Sequence, residues 1–293
     1  MMGEKMSEII KNYRNNAPLR QSFNHLASAT FGLDFEDWYQ NGFWGENYIP
    51  YSIVHEGQVA ANISVNIMDM NQNGTIKHFI QLGTVMTAEP YRKQGLIREI
   101  MQEIEKDYGE KAEGFYLFAN DSVLDFYPKF GYRKAKEYQY SKPVSHNTPS
   151  TMKPAPMKEK SHWKKLEHTI QTSTFHGQFD MADNSALFMF YVTKFMQENV
   201  YYDKTTDTYA IAEIESGKLL LHAIFSSSSI TLEDIIKSFG SPITKVILGF
   251  TPSDTTGYEC SERKEEDTTL FVKGENFITF ENQHFMFPTL SHA

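Results

Sequence analysis

Residues 92–97 read Arg92-Lys93-Gln94-Gly95-Leu96-Ile97, between an apolar run and an amphipathic one. Two cations and a glycine therefore stand where a helix should begin. A helix start gathers unpaired backbone N–H groups and the positive end of the macrodipole, which suits an anion such as a pyrophosphate. A second cluster follows in Asn120-Asp121-Ser122-Val123-Leu124-Asp125-Phe126-Tyr127, closed by Gly131-Tyr132. Its Tyr127 phenol could hand a proton to a leaving group, chemistry that usually contributes roughly 10²–10⁴-fold. Candidates for the opposite task, taking a proton, are Glu46, Asp69, His78 and Glu89. The aromatic cluster Trp38, Tyr39, Phe43, Trp44 and Tyr48 could attract an ammonium group by cation–π contact.

These residues need elements to hold them. Ser7–Tyr13 reads as a short helix and 19–40 as a mixed helical stretch ending at Asn41-Gly42. Tyr48–His55 reads as a strand. Gln58–Met68 alternates, with Val59, Ala61, Ile63, Val65 and Ile67 on one face, as a half-buried antiparallel strand does. Asn71-Gln72-Asn73-Gly74 turns the chain into a third strand, Thr75–Thr87. Leu96, Ile97, Ile100, Met101, Ile104 and Tyr108 form one helical stripe, stopped at Gly109. Gly114–Ala119 is a strand, Ser122–Phe130 a short helix and Tyr132–Tyr140 a last strand. The order predicts an α+β fold, a mainly antiparallel sheet covered by helices.

The length of 293 residues suits two domains. We expect the first over 1–142, a linker over 143–160 with four prolines, and a second α+β domain over 161–293. In that second part, Leu187–Met196 and Thr231–Phe239 read as helices. Thr208–Ile214, Lys218–Phe225, Lys245–Phe250, Thr269–Lys273 and Phe277–Phe280 read as strands. No basic glycine turn recurs there. The pattern fits either a degenerate copy of the first domain or an unrelated α+β domain.

A net charge of −9 argues against nucleic acid as a partner. Every arginine but Arg263 lies in the first half, so phosphate chemistry belongs there. Cys260 is the single cysteine, which excludes an internal disulfide and points to a reducing, cytoplasmic setting. The start lacks a secretory pattern and no apolar run reaches membrane-spanning length. No metal-ligand cluster stands out, and no Gly-x-x-x-x-Gly-Lys-Ser/Thr loop is present.

Val85 through Ile97 together with Asn120 through Tyr132 resembles the GNAT superfamily of acyl-CoA N-acyltransferases. That family's turn, Arg/Gln-x-x-Gly-x-Gly/Ala, is matched at Arg92 and Gly95 and departs at Ile97. Its second motif, Asn-x-x-Ala-x-x-Phe-Tyr-x-x-x-Gly-Phe, maps onto Asn120, Val123, Phe126, Tyr127, Gly131 and Tyr132. The resemblance covers roughly residues 5–140, and the length is similar to that of the two-domain Eis-like enzymes.

The resemblance implies acetyl-CoA as co-substrate. Val85, Met86 and Thr87 would offer backbone groups to the pantetheine and thioester oxygen, and Arg92, Lys93, Gln94, Gly95, Leu96 and Ile97 would cradle the pyrophosphate. Arg98 would add charge or make a surface ion pair. Asn120 would bond the cofactor or cap the next helix, and Tyr127 would act as general acid. The reaction implied is acetyl transfer to a primary amine of a small molecule or peptide, by direct attack in a ternary complex. The alternative is a non-catalytic acyl-CoA-binding regulatory module. In Eis-like enzymes the terminal carboxylate reaches the active site. The apolar tail His284–Ala293 is accordingly expected to fold back and line the acceptor site. The second domain shapes that pocket, mediates homo-oligomerisation, or does both.

Overall fold

The computed structural model describes residues 8–292. In the first half the elements are β1 (Ile9–Lys11), α1 (Ala17–Phe31), α2 (Glu36–Gln40), β2 (Tyr48–His55), β3 (Gln58–Gln72) and β4 (Thr75–Thr87). They continue with α3 (Leu96–Tyr108), β5 (Gly114–Ala119), β6 (Arg133–Lys134) and β7 (Tyr138–Pro143). Then come β8 (Lys153–Pro154), α4 (Lys160–Gln171), β9 (Phe179–Ala182), α5 (Ser185–Lys194), β10 (Val200–Asp203), β11 (Thr208–Glu215) and β12 (Lys218–Phe225). Last are α6 (Leu232–Ser238), β13 (Lys245–Leu248), β14 (Glu259–Glu262), β15 (Thr269–Lys273) and α7 (Asn276–Asn282).

Local chemistry explains the boundaries. Asn16 caps α1 by accepting a hydrogen bond from the Leu19 N–H, and the helix ends at Gly32 with φ 68°. Three hairpin turns, at Glu56-Gly57, Asn73-Gly74 and Ser216-Gly217, put both central residues at positive φ. That geometry matches the twist of the flanking strands.

The strands form two mixed, mainly antiparallel sheets. The first runs β1-β2-β3-β4-β5-β15-β6, with β9 added to β3. The second runs β14-β7-β13-β12-β11-β10-β8. Helix α3 covers one face of the first sheet, burying Ile100 and Ile104 against Ile63, Val65, Leu82 and Phe271. Helix α1 and an aromatic mass that includes Phe179, Phe285 and Phe287 cover the other face. The chain does not pass once from sheet to sheet: β7 belongs to the second, and β15 returns to lie between β5 and β6.

The second sheet repeats the strand directions of the first. β2, β3 and β4 are antiparallel, α3 crosses over, and β5 pairs parallel to β4. β10, β11 and β12 are antiparallel, α6 crosses over, and β13 pairs parallel to β12. The register shifts in both, at Asn62/Ser64 and at Ile211/Ala212.

Several expectations need correction. Ile9–Lys11 is an edge strand paired with β2, not a helix; Ser7 lies outside the described residues. Strand β3 is buried on both faces rather than one, because α1 covers the face carrying Asn62, Ser64 and Asn66. The stretch 122–130 is two 3₁₀ turns, Asp121–Val123 and Tyr127–Phe130, since Pro128 cannot extend a helix begun before it. Tyr132–Tyr140 is two strands in different sheets. Phe277–Phe280 is helical, with both phenylalanines buried at a one-turn spacing.

Candidate active site

Strands β4 and β5 pair only as far as Gln81 and Tyr116. Beyond that point they diverge, so the side of β4 facing β5 has no ladder partner from Leu82 to Thr87. The divergence begins beside a bulge. Asn62 pairs Met86 and Ser64 pairs Gly83, which leaves Thr84 and Val85 together opposite Ile63. Thr84 takes φ 48°, unusual for a β-branched residue. Two contacts hold it there: the Asn62 amide donates to the Thr84 carbonyl at 2.9 Å, and the Thr84 hydroxyl lies 2.6 Å from the Tyr48 hydroxyl.

After Thr87 the chain makes one 3₁₀ turn, Glu89–Tyr91, and enters the basic loop. Lys93 and Gly95 both adopt positive φ, 64° and 85°. Gly95 is the N-cap of α3 and no side chain caps the helix. Its first N–H groups are thus left for an external acceptor. The Arg92 guanidinium folds back on the strand end, donating to the Thr87 carbonyl at 3.3 Å. The Arg98 guanidinium sits over the Phe130 ring, 5.0 Å from its centroid, rather than in a surface ion pair.

The corresponding helix of the second sheet is built differently. Thr231 caps α6 by accepting from the Asp234 N–H, and Glu233 and Asp234 sit in its first turn. A capped, acidic helix start repels an anion.

A cleft of about 850 Å³ lies along the opening between β4 and β5. The residues expected to hold the co-substrate and the expected general acid line it: Val85, Met86, Thr87, Arg92, Lys93, Gln94, Gly95, Leu96, Ile97, Asn120 and Tyr127. Val123 and Phe126 lie beside them, whereas Gly131 and Tyr132 of the second motif lie outside it. Ile97 sits within this lining and leaves the cleft open. The Asn120 side chain makes no helix cap; its amide donates to Asp267 at 2.8 Å, and the Asp121 N–H donates to the same carboxylate. Tyr127 is buried, and burial pushes its phenol up to about 12.

A second cavity of about 320 Å³ adjoins the cleft and shares Phe31, Val85, Asn120 and Tyr127 with it. Its walls come from both halves of the chain. Phe35, Trp38, Tyr48 and Phe118 face Leu187, Phe190 and Tyr191 of α5. Phe35 and Phe190 stack 5.5 Å apart, and the Trp38 indole N–H donates to the Ala186 carbonyl at 2.9 Å. Of the aromatic cluster expected to select an acceptor, Trp38 and Tyr48 line this chamber. Phe43 and Trp44 are buried elsewhere, and Tyr39 lies under the Arg20 guanidinium.

The tail folds back against the first sheet. Phe285, Met286 and Phe287 are fully buried, and Phe287 stacks on Tyr116 at 3.9 Å. His292 stacks on Phe118 at 3.6 Å, lines the chamber, and accepts a hydrogen bond at its carbonyl from the Tyr191 hydroxyl. Its Nε2 is buried with no hydrogen-bond partner among the described residues, and burial holds the ring well below its ordinary pKa. Ala293 lies outside the described residues.

The four carboxylate and imidazole candidates for a base line neither cavity. Glu46 pairs with Arg14, Asp69 with His78 at 2.6 Å on the distant hairpin, and Glu89 is exposed. Sequence reasoning missed Thr84, Phe190, Tyr191 and Phe195. Gly83 in the middle of a strand was the available signal for the bulge; the α5 residues carried none.

Comparison with known proteins agrees with this geometry. Residues 17–135 match the family model of the acetyltransferase (GNAT) domain. No curated protein matches the chain by sequence. Among solved structures, a protein from Enterococcus faecalis V583 described as a probable N-acyltransferase has a TM-score of 0.60 at 14% identity, over 94% of this chain and 74% of its own. Eis1 from Mycobacterium abscessus has a TM-score of 0.55 at 12% identity, over 90% and 73%. A GCN5-related N-acetyltransferase from Kribbella flavida has 0.53 at 14%, over 91% and 71%. At these identities the likeness is one of fold. The turn and the diverging strands thus lie within residues 17–135, the stretch that matches the GNAT acetyltransferase domain.

Proposed function

We propose that the protein is an N-acetyltransferase that moves an acetyl group from acetyl-CoA to a primary amine while both are bound. One observation carries the reading: the motif-lined cleft and the aromatic chamber share Val85, Asn120 and Tyr127, so a donor and an acceptor in the two cavities would meet there. The open, uncapped start of α3 and the size of the cleft fit the co-substrate's pyrophosphate and pantetheine.

Acetyl-CoA supplies an acyl group activated as a thioester. Arg92, Lys93 and the N–H groups from Gln94 to Ile97 hold its phosphates. The unpaired side of β4 at Val85, Met86 and Thr87 gives backbone donors for the pantetheine and for the carbonyl oxygen as charge develops on it. Such a fixed donor is typically worth roughly 10²–10³ in rate. As the C–N bond forms and the C–S bond breaks, the amine gives up one proton. Tyr127 keeps a proton at Oη through the neutral range, passes it to the departing sulfur and is restored by the proton that the amine releases.

The test is thermal. Acetyl-CoA at about 100 times its dissociation constant should stabilise by roughly 2.7 kcal/mol, a rise of a few degrees in Tm. The rise should shrink in Arg92→Ala. Release of free thiol with an amine panel then separates an enzyme from a binding module; binding without any release would favour the module.

A further inference from the structure

Resting on that reading, we infer that the acceptor is a primary amine on one compact aromatic or branched apolar body, and not a polycation. Among the described residues, the lining of the chamber next to Tyr127 includes no Asp, Glu, Lys or Arg. Its surface is made chiefly of rings, and its volume of about 320 Å³ is at the small end for ligand pockets.

Two of the hydroxyls in those walls are committed, while His292 Nε2 has no partner among the described residues. The Tyr48 hydroxyl is bonded to Thr84 and the Tyr191 hydroxyl to the His292 carbonyl. Asp121, next to Asn120, is exposed, and four acids on neighbouring segments are engaged outside the chamber. Asp34 pairs with Lys194 at 3.4 Å, and Asp267 holds Asn120. Glu213 bonds His222 and Glu265 bonds Arg263 in a separate pocket behind Tyr191 and His292. A second ammonium on the same acceptor would be desolvated here with no carboxylate side chain among the described lining residues to neutralise it.

The entrance points the same way. Phe31 and Phe195 both line the chamber, yet they are 47% and 57% exposed, among the few large apolar side chains left in water. One comes from the end of α1 and the other from just beyond α5, so apolar surface from both halves meets an entering ligand. An amine with an apolar body gains from covering those rings, and the ammonium is attracted to their faces on the way in. Inside, loss of hydration favours the neutral amine, which is the nucleophilic form.

The experiment compares 2-phenylethylamine with spermidine as acceptors, by thiol release from acetyl-CoA, in the wild-type chain and in Phe195→Glu. Phe195 is exposed, so the variant should fold, which its unchanged Tm shift with CoA would verify. Expected is a kcat/KM for phenylethylamine on the order of a hundredfold above that for spermidine, falling about tenfold in Phe195→Glu. Equal or better use of spermidine overturns the assignment. So does an unchanged phenylethylamine value in the variant, or the absence of transfer to either amine by a protein that binds CoA. Failure to bind CoA at all would instead remove the transferase reading beneath it.

Discussion

Tyr127 sits where the cleft and the chamber meet, and its phenol is pushed up to about 12 by burial alone. Tyr127→Phe keeps the ring and removes the proton. The variant should lose roughly 10²–10⁴ in kcat with acetyl-CoA affinity unchanged, as judged by the Tm shift. The other titratable groups lining the chamber also stay silent in the middle of the pH scale: burial raises Tyr48 and Tyr191 and lowers His292. Glu213, His222, Arg263 and Glu265 stand behind Tyr191 and His292, in the neighbouring pocket. The pH dependence of kcat/KM should therefore belong to the substrate, rising up to the pKa of whichever ammonium is used. Two amines of different basicity should give two different inflections. A shared inflection near the value of about 7 to which burial raises Glu137 would assign the control to the protein instead.

At the scale of elements, the turn before α3 depends on Gly95. A Cβ there would touch nothing within 4 Å, so its need for glycine is conformational, set by φ 85°. Gly95→Ala should cost about 1–2 kcal/mol of stability and weaken acetyl-CoA binding as the turn relaxes, both readable from melting curves with and without ligand. This turn was legible in the sequence because all its determinants are local: strand, cations, glycine and amphipathic helix within one short window. The hairpins of β2, β3 and β4 were legible for the same reason. What sequence could not supply was partnership over distance. Alternation over 132–140 reveals strands but not that β6 pairs β15 while β7 pairs β13 and β14, more than a hundred residues on. The aromatic chamber was half legible. Trp38 and Tyr48 stood out as aromatics near the first strand, whereas Phe190 and Tyr191 read only as the apolar side of a helix.

The whole molecule is joined by the segment between β6 and β7. There Glu137 accepts the Phe287 N–H at 2.8 Å and lies 3.8 Å from Arg263, which ties the tail to both sheets. Burial raises this carboxyl to about 7, despite the opposing pull of Arg263. The folded protein thus holds the proton more tightly than the unfolded chain, whose carboxyl titrates near about 4.3. Its contribution to stability is complete below that value and is lost as pH climbs through about 7. Asp180, raised to about 6 by burial, adds in the same direction. Glu137→Gln should flatten the fall in Tm between about pH 4 and 7 by a few degrees. A slope equal to the wild type's would show that the group is not buried as described.

The return of β15 to the first sheet also has a consequence for the order in which the protein can be made. A ribosome works from the N-terminus, so β5 emerges long before Lys273, the last residue of the strand that will cover its outer side. For that interval the nascent chain carries an apolar strand, Gly114–Ala119, with its backbone groups unclaimed on that side. Bare edges of this kind invite pairing with other chains. Residues 1–142 released alone would keep that edge permanently, and a longer chain closes it only once Thr269–Lys273 has been made.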